Sequence, residues 1–176
     1  MSSIFRNLHA NEIECRVQTV KQTGFSILLY KDARSDMTIL DECVGAMNWK
    51  RSHLRDNKNC VVSIWCSDKK EWVSKEDTGT ESNTEQAKGL ASDSFKRACF
   101  NWGIGRELYS SPFIWINDSS YIKDSKRKDK YGNTIYTVFE KFNLFHISTE
   151  DGIIKQIGIN DSKGKCVFKF GSNSGN

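Results

Sequence analysis

The side chains best placed to do chemistry in this sequence lie between Lys88 and Trp102, where Lys88, Ser92, Lys96, Arg97 and Asn101 recur at close to one helical turn. At about 100° per residue they form one stripe of a helix, while Ala87, Leu90, Ala91, Phe95, Ala98 and Trp102 make a broad apolar face. Cations in such a stripe suit contact with a phosphate backbone, although a solvated helix face carries the same residue types. Phe100 projects from the polar side, about 40° from Lys96 and about 60° from Arg97 on the helical wheel. A phenyl ring between two cations is either a base-stacking platform or a patch that packs on a neighbouring subunit.

Other chemistries find weaker support. A metal-dependent nuclease would draw on Asp32, Asp36, Asp41, Glu76, Asp77 or Asp93, but these read as capping, turn and surface acids without metal-ligand spacing. His9, His53 and His146 are dispersed, with no nucleophile elbow beside them. Cys15, Cys43, Cys60, Cys66, Cys99 and Cys166 include no Cys-x-x-Cys pair and read as reduced core residues. Gly103-Ile104-Gly105 falls at a helix end, not between a strand and a helix, so it reads as a cap and turn. The chain has no Gly-x-x-x-x-Gly-Lys-Ser/Thr loop. The expectation is a binding protein without cofactor, not an enzyme.

The elements that must hold the stripe can be read outward from it. Ser82-Asn83-Thr84-Glu85 fits a capping box and Gly103 a helix stop, predicting a helix over 83–102. Before it come a hairpin (14–19 and 25–30), a short amphipathic helix (32–44) and strands over 49–54, 60–66 and 71–73, with Asp68-Lys69-Lys70 as a polar turn. After Pro112, strands are expected over 113–116, 134–139, 144–147, 153–159 and 166–170, and Lys123 to Lys130 as a solvated loop in preference to a DNA-binding arm at an outer rim. The fold class is α+β: an antiparallel β-sheet packed on one long central helix, with a short preceding helix and additional C-terminal strands. The 176 residues allow one domain over 1–170, with 171–176 as a flexible tail. A net charge of +4 does not by itself identify a partner. No segment has the length and apolarity of a membrane span or a signal peptide, so a soluble, cytoplasmic protein is expected.

The string Glu85-Gln86-Ala87-Lys88-Gly89-Leu90-Ala91-Ser92-Asp93-Ser94-Phe95-Lys96-Arg97-Ala98, followed by Trp102-Gly103-Ile104-Gly105-Arg106-Glu107-Leu108-Tyr109, resembles the signature of the Rad-fifty-two/Rad-twenty-two family of single-strand annealing proteins, in its phage or prophage branch. Gly45-Ala46-Met47-Asn48-Trp49 is similar to the family's tryptophan loop, and Val61 to Val73 leading into Glu76-Asp77-Thr78-Gly79 to its central strands. The resemblance covers roughly residues 12–109 and leaves a β-rich extension over 112–170. It implies an oligomeric ring that binds single-stranded DNA in a basic groove and anneals it to a complementary strand in recombination or repair, without ATP. It also implies a single-strand-binding protein or a recombinase as partner. By the same resemblance Lys96 and Arg97 are the inner-groove basic pair, Lys88 an upstream helix lysine and Arg16 an early groove arginine. A second DNA site would fall at Lys69 or Lys70. Phe100 departs from the pattern, standing where some members carry another arginine. A double-stranded nucleic-acid or RNA-binding module is the nearest alternative, since a small sheet on a basic helix can also read duplex shape.

Overall fold

The computed structural model of the chain describes residues 4–80 and 86–171, the side chains of residues 86–88 excepted. A hairpin of β1 (Ile13–Val20) and β2 (Phe25–Lys31) leads into helix α1 (Ala33–Val44). Strands β3 (Trp49–Leu54), β4 (Asn59–Cys66) and β5 (Glu71–Thr78) then precede helix α2 (Gln86–Trp102). Six strands follow: β6 (Ile114–Ile116), β7 (Ile122–Lys128), β8 (Thr134–Val138), β9 (Phe142–Glu150), β10 (Ile153–Asp161) and β11 (Cys166–Phe170). The expected class holds in its coarse form, since antiparallel sheets are combined with two α-helices.

The chain divides into two compact units: residues up to Leu8 with Lys31–Arg106, and His9–Tyr30 with the residues from Glu107 onward. The sequence boundary at Pro112 lies a few residues beyond this division. The opening hairpin, grouped by sequence with the helix region, belongs instead to the second unit. There β1 pairs with β9 through Glu14↔Asn143 and Cys15↔Phe142, and β2 with β6 through Phe25↔Ile116 and Ile27↔Ile114. Strand pairings that span a hundred residues leave no mark on local periodicity.

In the first unit the sheet runs β3-β4-β5, with α2 packed on β4 and β5 and α1 packed on α2. Cys60, Val62 and Ile64 alternate along β4 toward the core that also holds Ile39, Leu40, Leu90, Phe95, Ala98 and Cys99. Helix α1 starts where the Asp32 carboxylate accepts the amides of Arg34 and Ser35, at 2.6 and 3.2 Å. Helix α2 stops in a Schellman turn: Ile104 N–H donates to Cys99 O and Gly103 N–H to Phe100 O, with Gly103 at φ +108°. Gly103 therefore ends a helix, as the sequence predicts. The proposed capping box at Ser82 to Glu85 lies outside the described residues, as do residues 172–176 of the tail.

The second unit is a sheet in the order β11-β10-β9-β1-β2-β6, with a separate ribbon of β7 and β8. Its core gathers Ile13, Phe25, Ile114, Phe142, Ile157 and Ile159. The stretch from Lys123 to Lys130, expected as a loop, is strand β7 as far as Lys128. After Ile122, β7 has no apolar residue, so the alternation that marks a half-buried strand is missing from it. The cysteines also correct expectation: only Cys60 and Cys99 are buried, Cys166 is exposed, and the other three are half-buried.

Candidate nucleic-acid interface

The register of the three-stranded sheet assigns its two faces. Trp49, Arg51 and His53 of β3 lie opposite Ile64, Val62 and Cys60 of β4, and these opposite Val73, Lys75 and Asp77 of β5. This is the face toward α2. Trp49 stacks on Phe95 at 6.1 Å, the Arg51 guanidinium lies 4.6 Å from the same ring, and Trp102 donates its indole N–H to Val62 O at 3.0 Å. Lys75 donates to Asn101 O at 2.7 Å, and its ammonium lies 4.6 Å from the Trp102 ring. Burial and the neighbouring Arg51 hold the His53 imidazole below its ordinary range.

The basic pair of α2 is divided by this packing. Arg97 is 43% exposed, and its Nε lies 3.4 Å from Asp77 Oδ1, while Asn101 Nδ2 donates to Glu76 O at 2.9 Å beside it. Lys96 is only 7% exposed, which overturns the reading of its side of the helix as open. The physical reason is that α2 has two packed sides, one on the sheet and one on α1. On the α1 side Lys96 attracts Asp36, a fully buried carboxylate that is ion-paired with the buried Lys31. Lys31 also donates to Ile104 O at 3.0 Å, and its ammonium lies 4.6 Å from the Phe100 ring. Phe100, half-buried, thus faces an internal cation. Burial pushes the Asp36 carboxyl up to about 6, and the attraction of Lys31 and Lys96 opposes the rise.

The other sheet face is built differently. Trp65 of β4 and Trp72 of β5 are directly opposite in register, with ring centroids 5.6 Å apart and planes inclined at 66°. Each indole is 38% exposed. Lys50 of β3 places its ammonium 4.2 Å from the Trp72 ring. Behind them Ser63 and Ser74 share a hydroxyl hydrogen bond of 2.8 Å, and the Glu76 carboxylate is taken by Asn59 Nδ2. The turn from β4 to β5 carries Lys69 and Lys70, both exposed, with Lys70 at φ +54°. Paired indoles with lysines around them offer ring faces to unpaired bases and positive charge to the phosphates between those bases.

The structure therefore brings Lys69 and Lys70 to the end of the strand pair that carries the two tryptophans, and places Lys96, Arg97 and Phe100 on α2. Arg16 stands exposed on β1 in the second unit. Lys88 belongs to α2, its side chain outside the described residues. Sequence reasoning missed Lys50, Trp65 and Trp72. The residue types were visible, but the pairing was not: Trp65 and Trp72 are symmetric about the four-residue turn 67–70, whereas a three-residue turn at Asp68-Lys69-Lys70 would set Trp65 opposite Val73. Among the described residues no group of three or more His, Cys, Asp or Glu side chains is disposed to hold a metal ion. No described helix is long and apolar enough to cross a membrane.

Comparison of the chain with protein-family models, curated proteins and solved structures returned no match.

Proposed function

We propose that this chain binds single-stranded DNA and anneals it to a complementary strand without nucleotide hydrolysis, in recombination or repair. The observation that carries this reading is the open face of the β3-β4-β5 sheet, where Trp65 and Trp72 stand together beside Lys50, Lys69 and Lys70. Stacking on indoles is indifferent to base identity, and lysine contact with phosphates is indifferent to sequence, which is what an annealing protein requires. The likeness of residues 12–109 to the Rad-fifty-two family, including its phage branch, supports the same reading. In that frame α2 is the long helix on which the family's sheet is packed, and Arg97 is the half-exposed member of its basic pair.

A single sheet face with three lysines binds weakly, so oligomerisation belongs to the proposal: a ring repeats the site and converts later contacts into intramolecular ones. Extended strands held in this way meet with a reduced entropic barrier, and base pairing then drives the reaction.

Titration with an oligo-dT strand tests the site. Tryptophan emission should be quenched in the wild type, and the quench should be largely lost in Trp65→Phe/Trp72→Phe. An undiminished quench in the double variant would remove the sheet face from the site, and tighter binding of an RNA duplex than of a single strand would favour a shape-reading module instead.

A further inference from the structure

We propose that the β7–β8 ribbon is a second nucleic-acid contact, a basic arm that holds a phosphodiester backbone; this rests on the reading of the chain as a nucleic-acid-binding protein. Lys123, Lys126, Arg127, Lys128 and Lys130 follow one another closely along the ribbon, and all five are exposed. The two acids among them are committed to the backbone. Asp124 Oδ1 accepts the Lys126 amide at 2.8 Å. The Asp129 carboxylate accepts the amides of Tyr131 and Asn133 at 2.8 Å each and Asn133 Nδ2 at 3.0 Å, and the Asn133 bonds hold its carboxyl below the ordinary range. Among the described residues none of the five cations is in an ion pair. The ribbon is left with positive charge that its own acids do not neutralise.

Two further features separate this arm from a merely solvated strand. The first is aromatic: the Lys123 ammonium lies 5.9 Å from the Phe139 ring and that of Lys130 4.9 Å from Tyr131, and these rings are 76% and 75% exposed. Solubility accounts for the lysines, but exposed rings work against it. A cation beside an open ring can grip a phosphate while the ring meets the neighbouring base or sugar. The second is a bulge. The register slips between Asp124↔Tyr136 and Lys128↔Thr134, with Lys126 at φ +61°, a conformation that lysine seldom adopts. Lys126, Arg127 and Lys128 are exposed in succession across the slip, as Lys123 and Asp124 are before it.

The backbone held can be that of the single strand or of the duplex that annealing produces, and two binding arms distinguish them. Full-length wild type and Lys126→Gln/Arg127→Gln/Lys130→Gln are titrated by anisotropy against a labelled dT oligonucleotide and against a labelled duplex, each over a range of salt. The triple variant should bind more weakly at low salt. Its plot of log affinity against log salt should be shallower by about 0.7 per lost contact on a single strand, or about 0.9 on a duplex. Whichever ligand shows the change is the one the arm holds. An Arg127→Glu variant, altering one exposed side chain, should change affinity in the same direction and keeps the test valid if the triple variant misfolds by circular dichroism. Affinity and slope unchanged on both ligands, with the wild type binding, would overturn the arm alone. A wild type that binds neither ligand would overturn the open sheet face and the arm together.

Discussion

Lys96 is buried against α1, and Trp72 is a residue that offers a stacking surface. Lys96, in a stripe that looked open, is buried and attracts Asp36 across the α1–α2 contact. Lys96→Ala should therefore lower unfolding free energy by about 1–3 kcal/mol, because it removes a charged partner from a buried carboxylate. A urea titration checks this. Trp72→Ala, by contrast, removes a half-exposed stacking surface and should weaken single-strand binding by about 1–3 kcal/mol, roughly 5- to 150-fold, with little effect on folding. Asp36 also sets a pH dependence. Its folded value of about 6 lies above the ordinary 3.8, so the folded state favours the protonated acid. Its contribution to stability is complete below the ordinary value and is lost as pH rises through about 6. Between about pH 4 and pH 7 the wild type should lose stability relative to Asp36→Asn, measured by paired urea melts.

At the scale of elements, α2 is held by what lies on both of its sides. Phe95, fully buried between Trp49 and Arg51, anchors it to the sheet, and Phe95→Ala should cost about 3–5 kcal/mol, read from the shift of the urea midpoint. Much of this level was legible in the sequence. The Asp32 start of α1, the Gly103 stop of α2, the Val61–Trp65 strand core and the Asp68-Lys69-Lys70 turn each carry a local cause, a capping side chain, a left-handed glycine or a branched run. What was not legible needed a neighbour. Lys96 reads as surface until α1 covers it. Lys31, at the end of a strand, reads as any exposed lysine until Asp36 and Ile104 O enclose its ammonium. β7 lacks alternation because Ile122 is its one apolar residue, so only its pairing with β8 identifies it as a strand.

For the whole molecule, the chain divides into two compact units, and it enters the second unit, leaves it and returns. No local pattern encodes that return, since it is written in the match between β1 and a strand more than a hundred residues away. Each unit offers a surface with cations beside exposed rings: the open sheet face in the first and the β7–β8 ribbon in the second. An annealing protein built on such sites gains its affinity by repetition. Light scattering should then give a mass several times the 20.1 kDa of one chain, and a monomer at all concentrations would remove the ring from the account.

The most direct test follows the annealing of two complementary labelled oligonucleotides by energy transfer, in chelator and without nucleotide. The wild type should accelerate pairing, and Lys50→Ala/Trp72→Ala should lose most of the acceleration while melting as a folded protein. No acceleration by the wild type, or acceleration that the double variant retains in full, would contradict annealing through the open sheet face.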